Sequence, residues 1–223
     1  MDADRPGGAA PPRRIGLFGG SFDPVHQAHR QLADVALEQL SLDELRWVPV
    51  GHPWQKTRRL APAAHRAAMV ALAIGDNPRF VLERCELERA GPSYTLDTVR
   101  SLQQREPRPA TWFLILGQDQ LANFGTWHGW RELAGRVVLA VAGRAEQAVQ
   151  PPEALRREPQ ARVVPLTMPP QAVSSTELRH RLAAGEPARS LAPGMVAPAV
   201  ADYITRHGLY RPDPPPAGHC AGT

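Results

Sequence analysis

His26 and His29 stand three residues apart at the start of an amphipathic run, directly after an apolar segment that breaks into Gly19-Gly20 and Asp23-Pro24. Two imidazoles at this spacing share one face of a first helical turn, where the helix dipole favours an anion. Both rings could then donate hydrogen bonds to a phosphate whose charge grows during transfer. Two other readings stay open. Zinc ligation would want a third protein ligand, and no third His, Cys or acidic residue lies nearby at a recognisable spacing. A helix start without chemistry would also accommodate the pair.

Three further features suit phosphate. At Gly19-Gly20 the backbone can approach a ligand closely or turn with positive φ. The turn is neither familiar phosphate loop, because glycines at 16, 19 and 20 do not make GxGxxG and no GxxxxGK[ST] occurs. Lys56 is the sole lysine among 26 cationic residues. A point-charge ammonium binds phosphate with a geometry that arginine does not reproduce, although a solvated lysine would look the same. Near the carboxyl end, "VSSTELRHRL" from Val173 contains Ser174 followed three residues later by Glu177, the pattern of a capping box. Capping does not account for Arg179, which follows Ser174, Ser175 and Thr176 at a helix start and suits the end of a triphosphate.

These residues need a frame. Apolar runs rich in β-branched and aromatic residues at 14–18, 45–50, 79–83, 111–116, 136–142 and 162–166 read as strands, apolar on both faces as in a covered parallel sheet. Helical spacing is present over 31–40, 63–74, 94–105 and pieces of 119–134, and two closing helices are predicted over 175–184 and 195–207, each with glycine behind it. The alternation predicts an α/β fold, a doubly wound and mainly parallel sheet with C-terminal helices, its ligand site at the carboxyl ends of the strands. One domain over 13–211 is expected, with Pro/Gly/Ala-rich residues 1–12 and 212–223 as disordered tails.

Composition narrows the classes. The 223 residues are 43% hydrophobic and 22% charged, ordinary globular values. No apolar run approaches the roughly 20 residues that span a bilayer, and the N-terminus lacks a signal segment, so a cytoplasmic protein with no membrane partner is expected. Cys85 and Cys220 are the only cysteines, which argues against a disulfide framework. The net charge is +4, yet the arginines are scattered among glutamates without a basic block, so no nucleic-acid partner is expected. Oligomeric state is not legible.

"GGSFDPVHQAH" from Gly19 resembles the signature of the nucleotidylyltransferase superfamily, in which a Gly-Gly-Thr/Ser-Phe-Asp-Pro turn leads to His/Thr-x-Gly-His; Ala28 stands where that signature has glycine. "VSSTELR" resembles the superfamily's second motif. "SYTLDT" (93–98), "ILGQDQLANFGTWHGWREL" (115–133) and "GHPWQK" (51–56) resemble the nicotinate-nucleotide adenylyltransferase branch. The resemblance covers roughly residues 13–211. It implies a Rossmann-like nucleotidylyltransferase fold and adenylyl transfer from ATP to nicotinate mononucleotide, with Mg²⁺ bridging oxygens of ATP. It also implies that His26, His29, Lys56 and Arg179 carry the catalysis, and that ATP meets Gly19, Gly20, Ser21, Phe22, Gly117, Asp119, Ser174, Ser175 and Thr176. Tyr94, Thr95, Trp127 and His128 then take the pyridine end, with Trp127 stacked on the ring and backbone amides near Thr95 and His128 on its carboxylate; Lys56 and Asp119 are the other substrate contacts implied. Taken alone, Trp127 and Trp130 read equally as core packing of a short helix, and Asp119 as a helix cap.

Overall fold

A computed structural model describes residues 11–52, 58–144 and 149–211. Six strands form one parallel sheet: β1 (Arg13–Gly20), β2 (Glu44–Pro49), β3 (Phe80–Leu82), β4 (Ala110–Gly117), β5 (Val138–Arg144) and β6 (Arg162–Met168). Their order is β3-β2-β1-β4-β5-β6. The connections run outward in one direction from β1 and in the other from β4, so the topological switch lies between these two, where a crevice opens beyond the strand ends. Side chains alternate along β4: Trp112, Leu114 and Leu116 enter one core and Phe113 and Ile115 the other. This two-sided burial explains why the strand is apolar throughout.

Helices α1 (Gln27–Gln39), α2 (Ala63–Ile74), α8 (Ser175–Ala183) and α9 (Pro198–Arg206) cover one face. The other is covered by α4 (Thr95–Arg105), α5 (Gln118–Ala122), α6 (Trp130–Arg136) and α7 (Glu153–Arg156). A short α3 (Cys85–Glu88) follows β3. The segments expected as strands are all strands, and the doubly wound sheet is the one expected.

Boundaries differ where function or a special residue overrides periodicity. The first helix starts at Gln27 rather than 31, because its apolar period begins only at Leu32 while its first turn faces the crevice. The last helix starts at Pro198 rather than 195, with proline at its first position. Helix α6 runs to Arg136 and delays β5 to Val138. The expected tails fall mainly on residues 1–10 and 212–223, outside the described residues; residues 11 and 12 are exposed and lack regular structure.

Candidate active site

A cavity of about 690 Å³ opens at the switch point, walled by the ends of β1 and β4 and the first turns of α1 and α4. His26 is the N-cap of α1, in extended backbone geometry, and His29 is three residues into the helix. The backbone N–H of His26 donates to His29 Nδ1 at 3.2 Å. Because that nitrogen accepts, the proton of the neutral His29 ring sits on Nε2. The two rings stack with centroids 3.7 Å apart at 26°. Phe22 supports the pair from behind, edge-on to His29 at 5.1 Å and 1% exposed, so its ring is packing and only its backbone belongs to the turn.

The left-handed residue of this turn is Phe22, with φ 47°, and not either glycine. A non-glycine residue costs about 1–2 kcal/mol there, and the aromatic packing of Phe22 against Phe18, His29 and Trp47 holds it. Gly19 contributes openness instead: a Cβ there would meet nothing within 4 Å and would project into space a ligand could otherwise use.

Asp23 closes the turn from below. It is 1% exposed, and its carboxylate accepts from Arg58 Nη1 at 2.6 Å, the Ala61 N–H at 3.2 Å and the Tyr210 hydroxyl at 2.8 Å. Its backbone carbonyl accepts from Arg179 Nη1 at 2.6 Å. Arg66, 2% exposed, donates to the Ser21 carbonyl at 3.0 Å and the Ala61 carbonyl at 2.9 Å. Three guanidinium groups therefore gather behind this turn, one on the Asp23 carboxylate and two on backbone carbonyls, a surplus of positive charge that favours an anion in front of it. Of these, only Arg179 was singled out from sequence. Nothing in the sequence marks Arg58, Arg66 or Tyr210.

The second motif lies beside the first. Ser174 is the N-cap of α8 and accepts from the Glu177 N–H at 3.1 Å, so capping describes its side chain. Ser175 lines the cavity and donates to the Pro24 carbonyl at 2.9 Å. Thr176 Oγ1 accepts from Arg179 Nη2 at 3.2 Å. Thr176 and Arg179 sit at the head of α8 outside the cavity wall.

At the other end, Tyr94 and His128 stack with ring centroids 4.5 Å apart at 30°, bringing the "SYT" and "TWHGW" segments together. Trp127 is half-buried on the same wall, tilted against Phe124 at 5.3 Å. Thr95 opens α4 and lines the cavity; the Asp97 N–H already donates to the Tyr94 carbonyl at 3.1 Å, and a helix start leaves the N–H groups of Thr95 and Leu96 without an intrahelical acceptor. Gly117 and the exposed Asp119 line the rim after β4. The structure thus brings Gly19, Gly20, Ser21, His26, His29, Tyr94, Thr95, Gly117, Asp119, Trp127, His128 and Ser175 to one cavity. Lys56 lies outside the described residues. Among the described residues no three His, Cys, Asp or Glu side chains converge as a metal-binding group.

Burial pushes the pKa of His26 down from 6.5 to about 4, and its Nδ1 has no hydrogen-bond partner among the described residues. At neutral pH the ring is an uncharged donor. The unfolded chain binds this proton more readily than the folded one, so the stability difference is fully present above pH 6.5 and is lost as the pH falls towards 4. The loss amounts to roughly 3 kcal/mol. His26→Asn, a good N-cap that does not titrate, is expected to lose about 2–3 kcal/mol less than the parent between pH 7.5 and 4.5. Urea unfolding at the two pH values checks this; parallel losses would contradict it.

A six-stranded doubly wound sheet with a glycine turn and two histidines at its switch point is the frame of a nucleotide-handling class, and residues 17–181 match the cytidylyltransferase-like family, to which the chain belongs. A probable nicotinate-nucleotide adenylyltransferase of Methylibium petroleiphilum is 55% identical over 204 residues, covering 92% of this chain and 95% of that one. Another, of Bordetella pertussis, is 44% identical and covers 89% and 98% of the two chains. Within the family the chain is therefore one of the nicotinate-nucleotide adenylyltransferases. The Plasmodium falciparum nicotinic acid mononucleotide adenylyltransferase complexed with NaAD shares the fold, with a TM-score of 0.72 at 22% identity over 89% of this chain and 97% of that one.

Proposed function

We propose that residues 13–211 act as one catalytic unit that joins ATP and nicotinate mononucleotide into nicotinate adenine dinucleotide and pyrophosphate, in the cytoplasm. The observation that carries this reading is a single cavity with the glycine turn and the stacked His26 and His29 at one end and the stacked Tyr94 and His128 with Trp127 at the other. Among the described residues no helix is long and apolar enough to cross a membrane.

A phosphate oxygen of the mononucleotide attacks the α-phosphorus of ATP, and the bond from that phosphorus to the pyrophosphate oxygen breaks, its electron pair leaving with pyrophosphate. The nucleophile is already an anion, so no general base is needed. Positioning and charge neutralisation do the rest. His29, with its proton on Nε2, and neutral His26 donate to the α- and β-phosphates. Arg179 and Lys56 take the phosphate ends, Gly19, Gly20, Ser21 and the residues from Ser174 to Thr176 shape the bed, and Gly117 and Asp119 meet the nucleotide rim. Tyr94, Thr95, Trp127 and His128 take the pyridine end. The residues fit a Mg²⁺ that arrives with the triphosphate: Asp23 is already engaged by Arg58, Ala61 and Tyr210, and phosphates with water commonly supply most of the ligands of this ion. When bound, it neutralises charge on the ATP oxygens.

Purified protein given ATP and, separately, nicotinate mononucleotide, nicotinamide mononucleotide and phosphopantetheine should release pyrophosphate fastest with the first. Release with none of them would leave a nucleotide binder without catalysis. Ala28 lines the cavity between the histidines. If its methyl crowds the nucleotide, Ala28→Gly is expected to keep or tighten ATP binding while lowering stability by up to about 1 kcal/mol. Calorimetric titration and thermal melting check the pair, and weaker ATP binding would show that the methyl is a favourable contact.

A further inference from the structure

Glu86 is a carboxylate on the cavity wall, 7% exposed, that the transfer step does not use. It stands on α3, an element the sequence pattern does not reveal. The Thr98 hydroxyl donates to its Oε1 at 2.8 Å, and the Gly51 N–H and the Ser93 side chain lie close enough to favour its charged form. Each donor group is itself held. Arg89 Nη1 donates to Thr98 Oγ1 at 3.3 Å and the His52 N–H to Ser93 Oγ at 3.2 Å, while the Ser93 N–H returns to the His52 carbonyl at 3.1 Å. The backbones touch as well: a Cβ on Gly51 would lie 2.0 Å from the Glu86 carbonyl oxygen.

One carboxylate therefore ties the end of β2 to the Ser93–Tyr94 turn and the first turn of α4. Those segments carry the Tyr94 ring, stacked on His128, and the first-turn N–H groups of α4. A buried carboxylate held by a hydroxyl and packed against two backbone segments resists their movement. Hydrogen bonds weaken steeply beyond about 3.2 Å or away from linearity, so two amides meet both oxygens of a carboxylate only if their backbone is held in place. Resting on the acid-directed reading above, we propose that Glu86 is a positioning residue that sets the discrimination between a carboxylate and a carboxamide on the bound pyridine ring.

Charge alone predicts the opposite sign. Replacing Glu86 by glutamine removes a negative charge from the wall, which would help an anionic substrate. It also turns an NH₂ donor towards groups that now donate, so the turn shifts and the acid loses its paired amides. With Glu86→Gln the KM for nicotinate mononucleotide is expected to rise about 10-fold, with the ATP KM within about 2-fold and the acid-to-amide ratio of kcat/KM falling about 5-fold or more. Thr98→Val, which removes one donor only, should move the same quantities in the same direction by less, and it keeps the question open to test if the first variant does not fold. Steady-state kinetics at pH 8 on the full chain decide between the outcomes. A ratio that rises would make Glu86 an electrostatic element only; an unchanged ratio with both KM values rising together would make it structural only. Either overturns the proposal. Wild-type activity measured alongside keeps the two claims apart, since a wild type without acid preference defeats the underlying reading and not the network.

Discussion

Replacing His26 or His29 by alanine is expected to lower turnover about 10²-fold or more, the usual consequence of removing a donor that meets charge developing in a transition state. The two variants should differ in a second respect. His29 accepts from the His26 N–H and packs on Phe18 and Phe22, so His29→Ala also loses a cap contact and should be less stable by about 1 kcal/mol. His26 Nδ1 has no partner to leave unsatisfied among the described residues, so its alanine variant at neutral pH loses packing alone. Because the stacked rings serve adjacent phosphates of one transition state and are taken to act as a unit, the double variant should be little slower than either single one. Single-turnover rates measured below the melting temperature check this. A folded variant with wild-type turnover would remove that histidine from the chemistry.

The second large effect is a preference of at least about 10- to 100-fold in kcat/KM for nicotinate over nicotinamide mononucleotide. The substrates differ by a carboxylate against a carboxamide. Backbone N–H donors near Thr95 and His128 can serve both carboxylate oxygens, whereas the amide NH₂ sets donor against donor. An unpaired buried donor costs about 1–3 kcal/mol, and hydrogen bonds to charged groups are the stronger kind. Trp127, half-buried on the same wall, offers a face to either ring alike. Trp127→Ala is accordingly expected to weaken both substrates while leaving their ratio nearly intact. A ratio that collapses in this variant would place the discrimination on the indole instead of the amides.

How much of this was legible depended on whether a residue's role was local. Strands such as Thr111–Leu116 are apolar on both faces, and burial between two helix layers is the one environment that asks for that. The turn at the cavity was legible because glycines, Asp-Pro and two histidines compress special residues into one short stretch. Arg66 was not, since an arginine in an alanine-rich helix reads as a solvated face, and only the fold puts it under Ser21. Tyr210 reaches Asp23 across 187 positions, and Glu86 becomes a buried hub only when Gly51, Ser93 and Thr98 converge on it. Phe22 shows the same limit in the backbone. Two adjacent glycines drew the expectation of positive φ, yet side-chain packing places it on the aromatic residue instead.

The central claim is adenylyl transfer to the acid mononucleotide, and internal competition tests it most directly. One reaction receives ATP, Mg²⁺ and equal concentrations of nicotinate and nicotinamide mononucleotide, and both dinucleotides and pyrophosphate are quantified by chromatography at low conversion. The ratio of products is then the ratio of kcat/KM values. The account predicts nicotinate adenine dinucleotide in excess by at least about 10-fold, with total dinucleotide equal to pyrophosphate. Equal amounts of the two dinucleotides, or ATP consumed without either, would contradict it.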